Sequence, residues 1–167
     1  GKVSTIERAA ADKADGVSIR INGEWQPLRK GAALPSGAEL RTDDRTRVGL
    51  ELADGSKLVL DHRTELTFDR TEPRQIRLAV GRVVADVAHV ENRPAAFATP
   101  MGRIDVIGTR FSITATDALT TVQVVRGTVG ITDKTGRREE VRAGEEGLIE
   151  GTTLSVSGAP GLHRQVE

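Results

Sequence analysis

The stretch AAFATPMGRIDVIGTRFSITATDALTTVQVVRGTVGIT, residues 95–132, decides how the chain folds. Its large apolar residues recur at period two: Ile104 and Val106, Phe111 and Ile113, Val122 and Val124, Val129 and Ile131, with Gly102, Gly108, Gly127 and Gly130 between the runs. Successive side chains of an extended chain point to opposite faces, so this alternation lines one face of each segment with aliphatics. Breaks roughly every 8–12 residues make the segments short strands of a sandwich, barrel or solenoid.

The same alternation extends outward. Residues 3–10, VSTIERAA, read as a strand, although Val3, Ile6 and Ala9 keep helical spacing and the Ala-rich continuation also favours helix. Asp15-Gly16 then marks a turn, Val17 to Ile21 alternates, and Asn22-Gly23 is the strongest short hairpin signal, leading into Trp25-Gln-Pro-Leu28. Four short strands fit between residues 38 and 68, punctuated by Asp43-Asp44, Asp54-Gly55 and the polar turn Asp61 to Thr64. Ile76, Leu78 and Val80 alternate up to Gly81, and Val83, Ala85 and Val87 continue after it. A glycine between two such runs predicts a bend where a strand passes from one layer to another.

Residues 89–94 read as a loop, Thr116-Asp117-Ala118 and Lys134 to Arg137 as hairpin turns, and Gly147 to Ile149 as the last strand. From residue 151 onward Gly, Ser, Thr and Pro dominate, which predicts a flexible tail or linker. The expected organisation is an N-terminal hairpin region over residues 1–37, an all-β core over 38–150 and a tail over 151–167. One internal echo, Gly16 to Gly31 against Gly127 to Gly144, repeats strand, glycine turn and return strand, and favours stacked short coils.

Composition removes several classes of function. Lys plus Arg and Asp plus Glu both number 24, so no bulk field draws the chain to nucleic acid or anionic lipid. With no cysteine there are neither disulfides nor thiolate metal sites. No apolar run is long enough to span a bilayer, and Gly1 stands in place of a start Met, so any membrane contact is expected through segments outside this sequence. His62, His89 and His163 lie scattered over turns and the tail with no metal-ligand spacing, and Asp43, Asp44, Asp54 and Asp61 sit where turns favour Asp. There is no Gly-x-Ser-x-Gly, no phosphate-cradling glycine loop, and only one Trp, three Phe and no Tyr from which to build a sugar platform. The expectation is a non-enzyme without metal or cofactor.

A longer ordered pattern brings in a family. It runs Thr42, Arg47-Val48-Gly-Leu50, Leu52-Ala-Asp54-Gly55-Ser56 and Leu60, then Leu78-Ala-Val-Gly81-Arg-Val with Asp86-Val87, then Arg93-Pro94, Phe97 and Thr99. It continues through Gly102, Val106-Ile-Gly108-Thr109-Arg-Phe111-Ser-Ile113, Val122, Val124, Gly127-Thr-Val129 and Ala143-Gly144-Glu145. This series, over about residues 38–149, resembles the FecR-type domain of bacterial envelope signalling proteins. The resemblance implies an all-β domain of many short strands, solenoid-like or a twisted sandwich, on the outer side of the cytoplasmic membrane. In the best-known members the domain belongs to a transmembrane regulator that contacts a receptor's signalling domain and governs an extracytoplasmic-function sigma factor. Three features depart from those members: no helical part precedes the domain here, residues 150–167 are shorter than the mixed α/β subdomain that follows it there, and Val84-Ala85 stands where they carry an aromatic.

Candidate contact residues are then surface ones. Trp25, just past the hairpin turn, is either a flap over a core edge or an exposed anchor for a partner. Arg93 precedes Pro94 and Arg110 lies on the opposite face from Phe111; each is a candidate partner-binding residue and each could instead pair with a carboxylate of the domain. Phe97 and Phe111 belong to the alternating apolar set and are expected in the core. The first reading is a periplasmic or otherwise extracytoplasmic protein-binding domain in sensing or signal relay, anchored in the full-length protein, with another envelope protein as partner. The alternatives are a structural or adaptor module that self-associates, and, more distantly, a glycan-binding β protein.

Overall fold

A computed structural model describes residues 1–9 and 16–158; among them the chain is all-β, with sixteen strands and no helix. In chain order these are β1 (Lys2–Arg8), β2 (Val17–Ile21), β3 (Glu24–Pro27), β4 (Glu39–Thr42), β5 (Thr46–Glu51), β6 (Lys57–Leu60), β7 (Glu65–Phe68) and β8 (Gln75–Asp86). They continue with β9 (Ala95–Thr99), β10 (Gly102–Val106), β11 (Arg110–Ala115), β12 (Leu119–Arg126), β13 (Thr128–Asp133), β14 (Arg138–Arg142), β15 (Glu145–Glu150) and β16 (Thr153–Gly158).

Two sheets share one strand. Sheet A runs β1-β5-β6-β8-β11-β12-β15-β16, and sheet B runs β3-β2-β4-β7-β8-β9-β10-β13-β14. The first half of β8 pairs with β7 and, in parallel, with β9; its second half lies between β6 and β11. Every other ladder is antiparallel. The result is a twisted sandwich that does not close into a barrel.

The alternation seen in the sequence sets which face each strand buries. Leu58, Leu60, Val83, Ala85, Phe111, Ile113, Val122 and Val124 of sheet A face Leu40, Leu66, Leu78, Phe97, Ile104, Val129 and Ile131 of sheet B, all of them buried. Phe97 and Phe111 meet edge-on across the layers with ring centroids 5.6 Å apart, and burial of each stabilises the fold by about 1.5–3 kcal/mol. A slip of one residue in any ladder would turn these side chains to water.

The bend expected at Gly81 is where β8 leaves sheet B for sheet A. Gly81 has φ of 109°, and a Cβ placed there would stand 2.5 Å from the Cα of Thr64. Thr64 is fully buried; its hydroxyl accepts the Arg82 N–H at 3.1 Å, and its own N–H donates to the Thr42 hydroxyl at 3.0 Å. Only a residue without a side chain lets β8 cross so close to the chain beneath it.

Three features differ from the sequence reading or sharpen it. Residues 2–8 form the strand the sequence suggests despite its helical spacing, because Val3 and Ile6 reach the interior when β1 pairs with β5, with a register shift between Val3 and Thr5. Asn22 and Gly23 both have positive φ, 51° and 83°, the mirror-type two-residue turn that suits strand twist. The tail expected from residue 151 is corrected: Thr153–Gly158 form β16, paired along its length with β15, because Leu154 and Val156 alternate with serines and pack on the rim of the core. Asp15 of the first expected turn, and residues 159–167 of the expected tail, lie outside the described residues. The two hairpins of the internal echo, β2–β3 and β13–β14, occupy opposite edges of sheet B.

The glycines are therefore not equivalent. Gly81→Ala is expected to lower stability by about 3–5 kcal/mol through collision with the Thr64 backbone. Gly108→Ala, at φ of 53° with its nearest neighbour the His89 Cβ 3.0 Å away, should cost only about 1–2 kcal/mol. Urea unfolding of both variants measures the difference; equal losses would contradict the crossing.

Candidate functional site

Segments from four connections surround a cavity of about 240 Å³. Leu34, Leu52, Phe68 and Pro73 give it apolar walls, and Arg70 and Arg93 stand among its lining residues. Arg74 also lines it, 5% exposed, with each of its three guanidinium nitrogens engaged. Nε donates to the Arg93 carbonyl at 2.8 Å, one terminal nitrogen donates to the Ala88 carbonyl at 3.0 Å, and the other pairs with the Asp54 carboxylate.

Asp54 in turn accepts the Ser56 N–H at 2.8 Å, and the Ser56 hydroxyl accepts the Ala88 N–H at 2.9 Å. Burial pushes the Asp54 carboxyl up, but the Ser56 donors and Arg74 outweigh it and hold the group below its ordinary range. The Asp54-Gly55-Ser56 sequence thus ties the β5–β6 turn to the loop between β8 and β9. Arg74 went unnoticed in the sequence, yet a signal was present: it shares the phase of Ile76 and Leu78, the inward-facing residues of β8.

A second surface lies on the outer face of sheet B. Trp25 of β3 is half-buried, with the Arg41 guanidinium carbon 4.0 Å from its ring centroid, a cation–π contact worth about 0.5–1 kcal/mol at such a site. Arg20 stands opposite Trp25 across the ladder and 3.8 Å from Glu39. A shallow groove beside the ring runs along Ser18, Gln26, Pro27 and Arg29.

The three residues singled out in the sequence do not converge. Trp25 belongs to the edge hairpin of sheet B, Arg93 to the loop between β8 and β9, and Arg110 to the first position of β11 in sheet A. Arg93 pairs with Glu72 at 3.2 Å and gives its carbonyl to Arg74. Arg110 is exposed opposite Asp86, whose carboxylate is taken by Arg126 at 2.9 Å. Among the described residues no group of three or more His, Asp or Glu side chains is placed to hold a metal ion. The arrangement offers an apolar recess, a stacked aromatic and several guanidinium groups, which is chemistry for holding another molecule by shape and charge.

The sequence profile of the family described as FecR protein matches residues 38–130, more than half of the chain. No curated protein matches the sequence. Two crystal structures of candidate anti-sigma factors from Parabacteroides distasonis share the fold. One has a TM-score of 0.63 at 20% identity over 72% of this chain and 58% of its own; the other has 0.58 at 19% over 77% and 58%. The chain thus spans well under two thirds of either relative.

Removing Asp54 would strand the buried Arg74 charge, so Asp54→Ala is expected to destabilise by about 3 kcal/mol, read as a lower denaturation midpoint at unchanged slope. Acid should act through two other carboxylates. Hydrogen bonds from Thr135 and then Arg137 hold Asp133 at about 2, and at Asp43 the Thr46 and Arg8 donors outweigh burial to give about 2, against an ordinary 3.8. Both folded values are depressed, so their contribution is complete above pH of about 4 and is lost as pH falls towards about 2. Melting temperature should drop across that window, and Asp133→Asn should flatten the drop; an unchanged acid limb in the variant would count against the assignment.

Proposed function

This chain belongs to the FecR protein family, and we propose that it is an extracytoplasmic, non-catalytic domain that binds another envelope protein in sensing or signal relay. The family match over residues 38–130 carries the reading, since membership supports a signalling or regulatory role. The recess walled by Leu34, Leu52, Phe68 and Pro73 has the makings of a contact site. Trp25 with Arg41 is the proposed anchor, because aromatic and Arg side chains carry most of the energy of protein interfaces. Arg93, beside the recess, and Arg110, on the opposite sheet, are proposed as secondary contacts. A second reading, a structural or adaptor module, draws on the uncharged edge strand β16.

The test combines location, output and surface. A fusion of the complete gene product to alkaline phosphatase at the end of this domain should be active, as that enzyme folds only outside the cytoplasm. Deleting the gene in its native host should change one coherent set of transcripts. Trp25→Ala should reproduce that change while shifting the melting temperature by only about 2–4 °C. An inactive fusion, or a deletion without transcriptional effect, would contradict the reading.

A further inference from the structure

The four edges of the sandwich are not alike. β1 is covered at its start, where the Val3 N–H donates to the Ala32 carbonyl at 2.9 Å and the Gly31 N–H donates to the Val3 carbonyl at 2.8 Å, and a register shift interrupts its ladder. β3 is four residues long and ends in Pro27. β14 carries Arg138, Glu139, Glu140 and Arg142 among its five residues. Short length, proline, bulges and charge are the devices by which sheet edges avoid pairing with other chains. β16, TLSVSG, has none of them: six residues, no charge, no proline and an unbroken register with β15.

Its pattern also specifies a partner. Leu154 and Val156 face the interlayer space, Leu154 opposite buried Ile149 and Val156 opposite Gly147, yet each is only partly covered. Thr153, Ser155 and Ser157 are exposed on the outer face. We propose that this edge pairs with β16 of a second copy of the chain, antiparallel and centred on Ser155. That register sets Leu154 against Val156 of the second copy on the inner side, and Thr153 against Ser157 on the outer side, so apolar meets apolar and hydroxyl meets hydroxyl twice over by the two-fold axis. No like charges are opposed. The backbone agrees: the two-residue turn at Gly151-Thr152 makes Glu150 and Thr153 the closing pair, so bonding alternates along the strand and Leu154 and Val156 direct their N–H and C=O groups outward. Sheet A then runs through both copies. This goes beyond the proposed function and does not depend on it, since an envelope regulator can relay a signal as a monomer or a dimer.

The absence of cysteine makes the register directly testable. The two Ser155 positions form a pair without mutual backbone hydrogen bonds, about 4.5 Å apart at Cα and within disulfide reach. Ser155→Cys should therefore cross-link into a covalent dimer under mild oxidation, and Thr153→Cys, whose two copies lie on opposite sides of the axis, should not. In sedimentation the natural chain should show a concentration-dependent monomer–dimer equilibrium. Ser155→Lys and Ser155→Glu should each weaken it about fivefold through opposed like charges, and an equimolar mixture of the two should restore association. A natural chain that stays monomeric at every concentration, equal cross-linking of both cysteine variants, or a mixture no tighter than its components would each overturn the proposal.

Discussion

The passage of β8 over Thr64 is the constraint on which the rest of the structure depends. One strand supplies rungs to both sheets, so the register of sheet A and that of sheet B are fixed by the same twelve residues. At the switch the backbone of Gly81 sits where a side chain would strike Thr64, and the threonine hydroxyl takes up the Arg82 N–H. A buried donor without a partner costs more than an average hydrogen bond returns. The threonine is therefore as much a part of the bend as the glycine.

A related arrangement recurs where β12 gives way to β13. Gly127 has φ of 86° and its missing Cβ would stand 3.0 Å from the hydroxyl of Thr109, a fully buried residue whose single O–H is shared between the Ile107 and Thr128 carbonyls, 2.9 and 3.1 Å away. Both of these crossings between layers pair a small backbone with a buried threonine whose hydroxyl engages backbone polar groups at the switch. This accounts for Thr109 and Gly127 of the FecR-type pattern as structural requirements. Asp54, Ser56 and Arg74 do the same for the loops, closing the end of the sandwich with polar contacts where aliphatics run out.

Much of this was legible in the sequence, because period-two alternation and glycine turns are local signals. Val17 to Ile21, the Asn22-Gly23 turn, the bend at Gly81 and the strands of residues 95–132 could be read directly. β1 and β16 were harder. Their patterns are weak alone, and each is strand because a neighbouring ladder, β5 or β15, offers an open edge. Surface chemistry was less legible still. The stacking of Arg41 on Trp25 and the engagement of Arg74 join residues 16 and 20 positions from their partners, which no local pattern reports. Arg93 and Arg110 were read individually, and the fold sends them to different faces.

If one strand couples the two layers, they must unfold together. Native-state hydrogen exchange measures this most directly. The slowest amides of sheet A, in β11 and β12, and of sheet B, in β10 and β13, should share one opening free energy equal to that of global unfolding, with the same denaturant dependence. Two separate opening free energies, one for each sheet, would show that β8 does not bind them into a single cooperative unit.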